Sequence, residues 1–241
     1  MLQALVSGKA GRLPGFDETI SWRNAFRISE DLLTAAVFGR LAYLEGPVFW
    51  RILRRTFGSS LPDHRVAELA NVEFWPRWDE SGETGGSVEP DVFLDFNLGD
   101  PQISIRIIVE AKFGTSPTQY ADQWLRQWSS YHEAKEGDGS RVFLAAIGGL
   151  GRNVEATVEK LAGRIAAAGH DINVVAAGWD RLLDALQEER TSASRSAARI
   201  IDDMVTALGM AGYQHLSLMG GLGWRRREWN PHASGLLKNL E

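Results

Sequence analysis

The sequence predicts an α/β domain with a mixed central β-sheet flanked by helices and a helical C-terminal extension. Three observations carry that prediction. A β-hairpin pattern lies between residues 92 and 109, with the turn cluster Asn97-Leu98-Gly99-Asp100-Pro101 at its centre. Strand and helix patterns alternate after it, from 116 to 177, as strand–helix–strand units require. Helical periodicity precedes the hairpin at 29–57 and resumes at 180–208.

Taken in order, residues 1–28 read as an N-terminal arm, loosely held over the first 20, where Gly8, Gly11, Pro14 and Gly15 break any pattern. Ser29 is an N-cap signal, with Glu30 and Asp31 in the first turn. Leu32, Leu33, Ala36, Val37, Leu41 and Leu44 recur at helical spacing and predict a helix over 29–44. Gly46-Pro47 interrupts it, and Pro47 opens a second helix to residue 57. A strand at 70–76 is expected to end at Pro76, and the run 81–87 is loop by composition. Strands at 92–96 and 103–109 form the hairpin. Ser116-Pro117 predicts a helix start running to 134, followed by a buried strand at 141–147, a helix at 153–168, a strand at 172–177 and helices at 180–190 and 194–208. No internal repeat is present.

Composition narrows the function classes. The chain has 241 residues, 44% hydrophobic and 24% charged, which excludes disorder and coiled coil. Its net charge of -5 excludes a surface that is basic throughout, while leaving room for a local basic groove. The absence of cysteine excludes disulfides, cysteine-ligated zinc, iron–sulfur clusters and thiol nucleophiles. No apolar run reaches about 20 residues, and the first residues lack a basic and then apolar leader pattern. A soluble cytoplasmic protein is expected.

The chemistry concentrates at the end of the hairpin. Period-2 alternation sets Ile103, Ile105, Ile107 and Val109 on one face, and Ser104, Arg106, Ile108, Glu110 and Lys112 on the other. A turn near residue 100 brings Asp91 level with Glu110. Two carboxylates and one lysine therefore converge. Oxygen ligands one strand apart suit a Mg²⁺ that keeps several waters. Such an ion would bind phosphate oxygens and acidify a bound water, and Lys112 could orient that water or neutralise developing charge. The alternative is a surface hairpin whose edge charges oppose aggregation.

Glu89-Pro90-Asp91, followed by a strand ending Glu110-Ala111-Lys112, resembles the PD-(D/E)XK nuclease superfamily, the restriction-endonuclease-like fold. The likeness extends to the element order α-β-β-β-α-β and spans residues 29–180. It implies a metal held by Asp91, Glu110 and the Ala111 carbonyl, with Lys112 positioning the attacking water. Many members carry a further metal-site acid on the first helix. Glu30, on the edge of the apolar stripe, fits that role better than Asp31, although a first-turn residue also simply favours the helix dipole. Gln123, Gln127 and Tyr131 share a helix face, and Gln127-x-x-x-Tyr131 is similar to the element of RecB-like nucleases that supports metal and nucleic-acid backbone. The other reading of that face is a polar flank beside Trp124 and Trp128.

The resemblance implies a Mg²⁺-dependent nuclease, with Mn²⁺ as a possible substitute, acting on nucleic acid and preferentially DNA. By fold-level analogy it fits a bacterial defence or mobile-element effector. A non-catalytic binding or assembly subunit on the same fold is the competing reading. Arg51, Arg54 and Arg55 share one helix face, and Arg225-Arg226-Arg227 lies between Trp224 and Trp229. Either cluster could grip phosphates or form a solvated or ion-paired face. Arg40, inside an apolar stripe, requires a carboxylate partner. Residues 181–241 have no role in the nuclease core and are expected to bind a second copy or a dedicated protein partner. Gly149-Leu150-Gly151 precedes a helix, but Val154 replaces the third glycine of a dinucleotide fingerprint. No P-loop and no Gly-x-Ser-x-Gly elbow occurs, and the five histidines lack metal-ligand spacing.

Overall fold

The computed structural model describes residues 2–12, 20–80, 86–114, 116–134 and 140–213. Helices α1 (Leu2–Val6), α2 (Trp22–Ile28), α3 (Glu30–Leu41) and α4 (Gly46–Phe57) come first. Strand β1 (Ala67–Phe74) and the short pair β2 (Trp78–Asp79) and β3 (Ser87–Val88) follow. The hairpin β4 (Val92–Leu98) and β5 (Ile103–Ala111) leads to α5 (Ala121–Ala134), β6 (Arg141–Ile147), α6 (Val154–Ala167) and β7 (Asn173–Ala177). Helices α7 (Trp179–Arg190) and α8 (Arg195–Met210) complete the described chain.

The main sheet is mixed, in the order β1-β4-β5-β6-β7. The first three strands are antiparallel, and β5, β6 and β7 are parallel. Alternation along β5 sorts the two layers. Ile105, Ile107 and Val109 join Leu94, Phe96 and Phe143 in the core beneath α3, α4, α7 and α8. Ile108 faces the other way, with Phe93 and Tyr131 of α5, and Leu144 and Ala146 meet Leu161 and Ile165 of α6 there.

Four expectations need correction. The segment 1–28 is not a loose arm among its described residues. Leu2, Leu5 and Phe26 are buried with Ala207 of α8, because two short apolar faces find a partner that lies far off in sequence. The first sheet strand ends at Phe74, where Trp75 adopts a left-handed φ of 49°, and the unexpected β2–β3 pair packs against α5. Helix α5 starts at Ala121 rather than at Ser116-Pro117. The N–H groups of Thr118 and Gln119 both bond Gly149 O, which commits that stretch to the end of β6. Finally, no core boundary falls at residue 180. Leu182, Leu183 and Leu186 of α7, with Ile201, Met204 and Leu208 of α8, share the core of the central sheet. The Arg225–Arg227 cluster and its flanking tryptophans lie outside the described residues. No described helix is long and apolar enough to cross a membrane.

Candidate functional site

The hairpin register pairs Val92 with Val109, so the next residues outward, Asp91 and Glu110, are neighbours. Beyond that point β5 is held by β6, with Glu110 opposite Ala146. Glu110 therefore leaves the middle of the sheet and is only 1% exposed. Gln123 Nε2 donates to its Oε1 at 2.7 Å, and Gln127 Nε2 to its Oε2 at 2.6 Å. These are one helical turn apart on α5, so a single helix face holds both oxygens. Lys112 Nζ also donates to Glu110 Oε1. The same ammonium lies 3.0 Å from Ala111 O and 3.3 Å from Glu30 Oε1.

Asp91 Oδ2 accepts a hydrogen bond from Ala111 N at 2.7 Å. Ser29 caps α3, and that cap sets Glu30 at the entrance of the helix, facing the end of β5. Glu30 Oε2 accepts from Phe113 N at 2.6 Å. The structure thus brings together Asp91, Glu110, Ala111, Lys112, Gln127 and Glu30, while Asp31 is exposed.

The electrostatics are unbalanced. Three carboxylates meet one ammonium. Burial first, and then the charge of Glu110, push the Asp91 carboxyl up to about 7, against the opposing Ala111 hydrogen bond and Lys112. Burial alone would lower the Lys112 pKa, but Glu110, Glu30 and Asp91 outweigh it and raise it above the usual value. Lys112 is therefore a persistent cation.

Other side chains fix the backbone that carries the lysine, and the sequence reading missed most of them. Trp179 Nε1 donates to Lys112 O at 2.9 Å, and Gly114 N donates to Tyr213 Oη at 2.9 Å. Gln119 Nε2 donates to Glu110 O and Gly148 O, and its own Oε1 accepts from Trp124 Nε1. Gly148 and Gly149 both have positive φ. A Cβ at Gly148 would stand 2.1 Å from Lys112 O, and one at Gly149 would stand 2.4 Å from Lys112 Cβ. Their sequence signal, a glycine turn straight after a buried strand, marks a close backbone approach.

The donor set fits a hard cation in chemical type. Two carboxylates and the Ala111 carbonyl are oxygen ligands of the kind Mg²⁺ takes while keeping several waters. Gln127 Oε1 is buried beside them with no hydrogen-bond partner. Among the described residues, no three His, Cys, Asp or Glu side chains are grouped closely enough to hold one ion by themselves. Water and phosphate oxygens would have to complete its coordination.

The structure does not bring the remaining expected residues to this cluster. Tyr131 is 2% exposed, packed against Phe93 and Trp78, and its hydroxyl bonds Arg106 at 2.5 Å. It braces α5 on the sheet and presents no surface to a nucleic-acid backbone. Arg51 and Arg55 bind Glu189 of α7, and Arg54 binds Asp63. They lie with α4, on the sheet face opposite Glu110. Arg40 pairs with Asp203 at 3.1 Å, the carboxylate partner its position required.

No family model matches the chain. An uncharacterized protein of Pasteurella multocida (strain Pm70) is 28% identical over 231 residues, covering 90% of this chain and 82% of that protein. Among solved structures, the MspJI restriction endonuclease in complex with a 27-mer oligonucleotide has a TM-score of 0.34 and 15% identity. That match covers 84% of this chain, which spans 38% of the endonuclease chain.

Proposed function

We propose that this chain is a metal-dependent nuclease that hydrolyses phosphodiester bonds of nucleic acid, DNA by preference, with Mg²⁺ or Mn²⁺ as its ion. The observation that supports this best is the buried charge deficit at the end of β5. Glu110 and Asp91 sit side by side with Lys112, and holding repelling carboxylates in a protein interior costs stability that a function can offset. Asp91, Glu110 and the Ala111 carbonyl would hold the ion. When bound, it would polarise a phosphate oxygen and lower the pKa of a coordinated water.

The chain's own groups have separable roles. Lys112 has its pKa raised by Glu110, Glu30 and Asp91 against the effect of burial, which favours its cationic form. It orients the attacking water, or stabilises charge as it develops on the phosphate oxygens. Gln123 and Gln127 lock the Glu110 carboxylate in one orientation. Glu30 holds the Lys112 ammonium and the Phe113 N–H, and so aims the lysine. Trp179 and Tyr213 fix the backbone on either side of Phe113.

The test is cleavage of plasmid, linear and single-stranded DNA with Mg²⁺, Mn²⁺ or EDTA. Cleavage that needs the metal and is lost in Lys112→Ala is the expected result. A folded wild-type protein that cuts none of these substrates, nor RNA, with either metal would leave the non-catalytic reading in its place.

A further inference from the structure

A cavity of about 370 Å³ opens at the C-terminal ends of the parallel strands, beside the carboxylate cluster. Gly114, the turn 148–151, Arg152, Trp179, Asp180 and Tyr213 line it. None of the hydrolytic roles above uses this space. It is nevertheless adjacent to Lys112, because Gly148 and Gly149 of its wall touch the lysine's carbonyl and Cβ region. With strands about 5 Å apart, the far wall at the end of β7 is about 10 Å from β5, two strand spacings away.

The lining has three chemical parts. Tyr213 supplies the aromatic wall, packed on the buried Trp179 with ring centroids 6.2 Å apart. Tyr213 is held in place, since its hydroxyl bonds Gly114 N and its ring also meets Phe113. Arg152 is exposed and, among the described residues, makes no ion pair. Arg40, Arg51, Arg54, Arg55, Arg126 and Arg190 are all committed to carboxylates. Asp180 adds an exposed acceptor. An aromatic face stacks a base, a free guanidinium takes a phosphate, and a carboxylate accepts from an amino group or sugar hydroxyl. The volume is at the small end of ligand pockets, which suits a single nucleotide.

We propose that this cavity receives one unpaired nucleotide adjoining the phosphodiester cleaved at Lys112, with its base against Tyr213 and its phosphate on Arg152. The cleavage half of this statement rests on the nuclease reading. What it adds is a substrate class: single-stranded or locally unpaired nucleic acid. A base inside a duplex stack cannot reach Tyr213 without being extruded, at a cost of a few kcal/mol.

The experiment measures binding of a labelled single-stranded 12-mer and its blunt duplex by anisotropy, in EDTA and over a range of salt, alongside cleavage of both with Mg²⁺. The wild type should bind the single strand about tenfold more tightly than the duplex. Arg152→Ala should weaken single-strand binding and reduce the salt slope by about 1, and Arg152→Lys should restore the slope. Tyr213→Leu should weaken binding about tenfold, while Tyr213→Phe, which keeps the ring but loses the hydroxyl's bond to Gly114 N, should weaken it less. Equal binding of strand and duplex, or an affinity and slope indifferent to Arg152 in a variant of unchanged melting temperature, overturns the assignment. Arg152-dependent single-strand binding by a protein that cuts nothing overturns the nuclease reading and leaves the cavity's ligand standing. Metal-dependent cleavage that is indifferent to Arg152 and Tyr213→Leu does the reverse.

Discussion

Glu110 and Glu189 are equally buried, each 1% exposed, on opposite faces of the same sheet. Their surroundings differ in sign. Glu189 sits between two guanidiniums, with Arg51 Nη2 at 2.6 Å and Arg55 bonded to its other oxygen. Burial works against its charge, but Arg51 and Arg55 outweigh it and hold the carboxyl below its usual pKa. Glu110 shares one ammonium with Glu30 and lies beside Asp91, whose carboxyl is driven up to about 7. Burial alone therefore does not distinguish these two carboxylates. The local charge balance does: the α4–α7 contact closes its account, and the end of β5 leaves a deficit that a cation would fill.

This contrast can be broken by experiment. The largest effect is expected at Lys112. Lys112→Ala should lower the cleavage rate per folded molecule by about 10²–10³ or more, and, because it removes the ammonium that faces Glu110, Glu30 and Asp91, it should also destabilise the metal-free fold. A variant that cuts at the wild-type rate would remove Lys112 from the chemistry.

Next is the pH dependence of the metal-free protein. Asp91 ionises near 3.8 when unfolded and near 7 when folded. Between those values the folded state binds the extra proton, so stability falls as pH rises. This contribution is fully present below about pH 4 and is lost by about pH 7. Urea melts in EDTA should show that decline. Asp91→Asn, which can still accept from Ala111 N, should flatten it and be the more stable protein at pH 8. A wild-type curve that is flat from pH 4 to 7 would contradict the raised Asp91 pKa and the burial and repulsion that cause it.

The Glu189 side is expected to respond through folding only. Glu189→Gln should cost about 3 kcal/mol in urea denaturation, near the lower end for breaking a buried pair, since its arginines are partly solvated. Cleavage per folded molecule should stay unchanged. A selective loss of activity would place α4 in the site after all. The smallest effect is expected at Arg54, whose partner Asp63 is largely exposed. Arg54→Ala should change stability by no more than about 1 kcal/mol and leave the salt slope of DNA binding as it was. A reduced slope would make that helix a phosphate contact, as its row of arginines invited.

Much of the site was legible because it depends on periods and registers within short stretches. A period of 2 and a turn near residue 100 are enough to bring Asp91, Glu110 and Lys112 to one strand end, and the edge of the apolar stripe on the first helix is enough to prefer Glu30 over Asp31. Tyr131 departs from its expected place for a related reason. Helical spacing puts it on the face of Gln123 and Gln127, but one further turn carries it from the carboxylates to the aromatic pocket of Phe93 and Trp78. Helix-start signals at Ser116-Pro117 place Gln119 within a helix, although the hydrogen bonds that delay the helix there go to Gly149, thirty residues on.

The sequence by itself determined the α/β class, the hairpin, its register and the acidic residues at its end, since these follow from backbone periodicity and local turn chemistry. Only the tertiary structure decided which charges are neutralised. Glu189 meets Arg51 and Arg55, Trp179 and Tyr213 clamp the lysine's backbone, and α1, α7 and α8 join the common core through contacts between residues far apart in the chain. Such pairings depend on how whole helices pack across the sheet, and no spacing along the sequence encodes them.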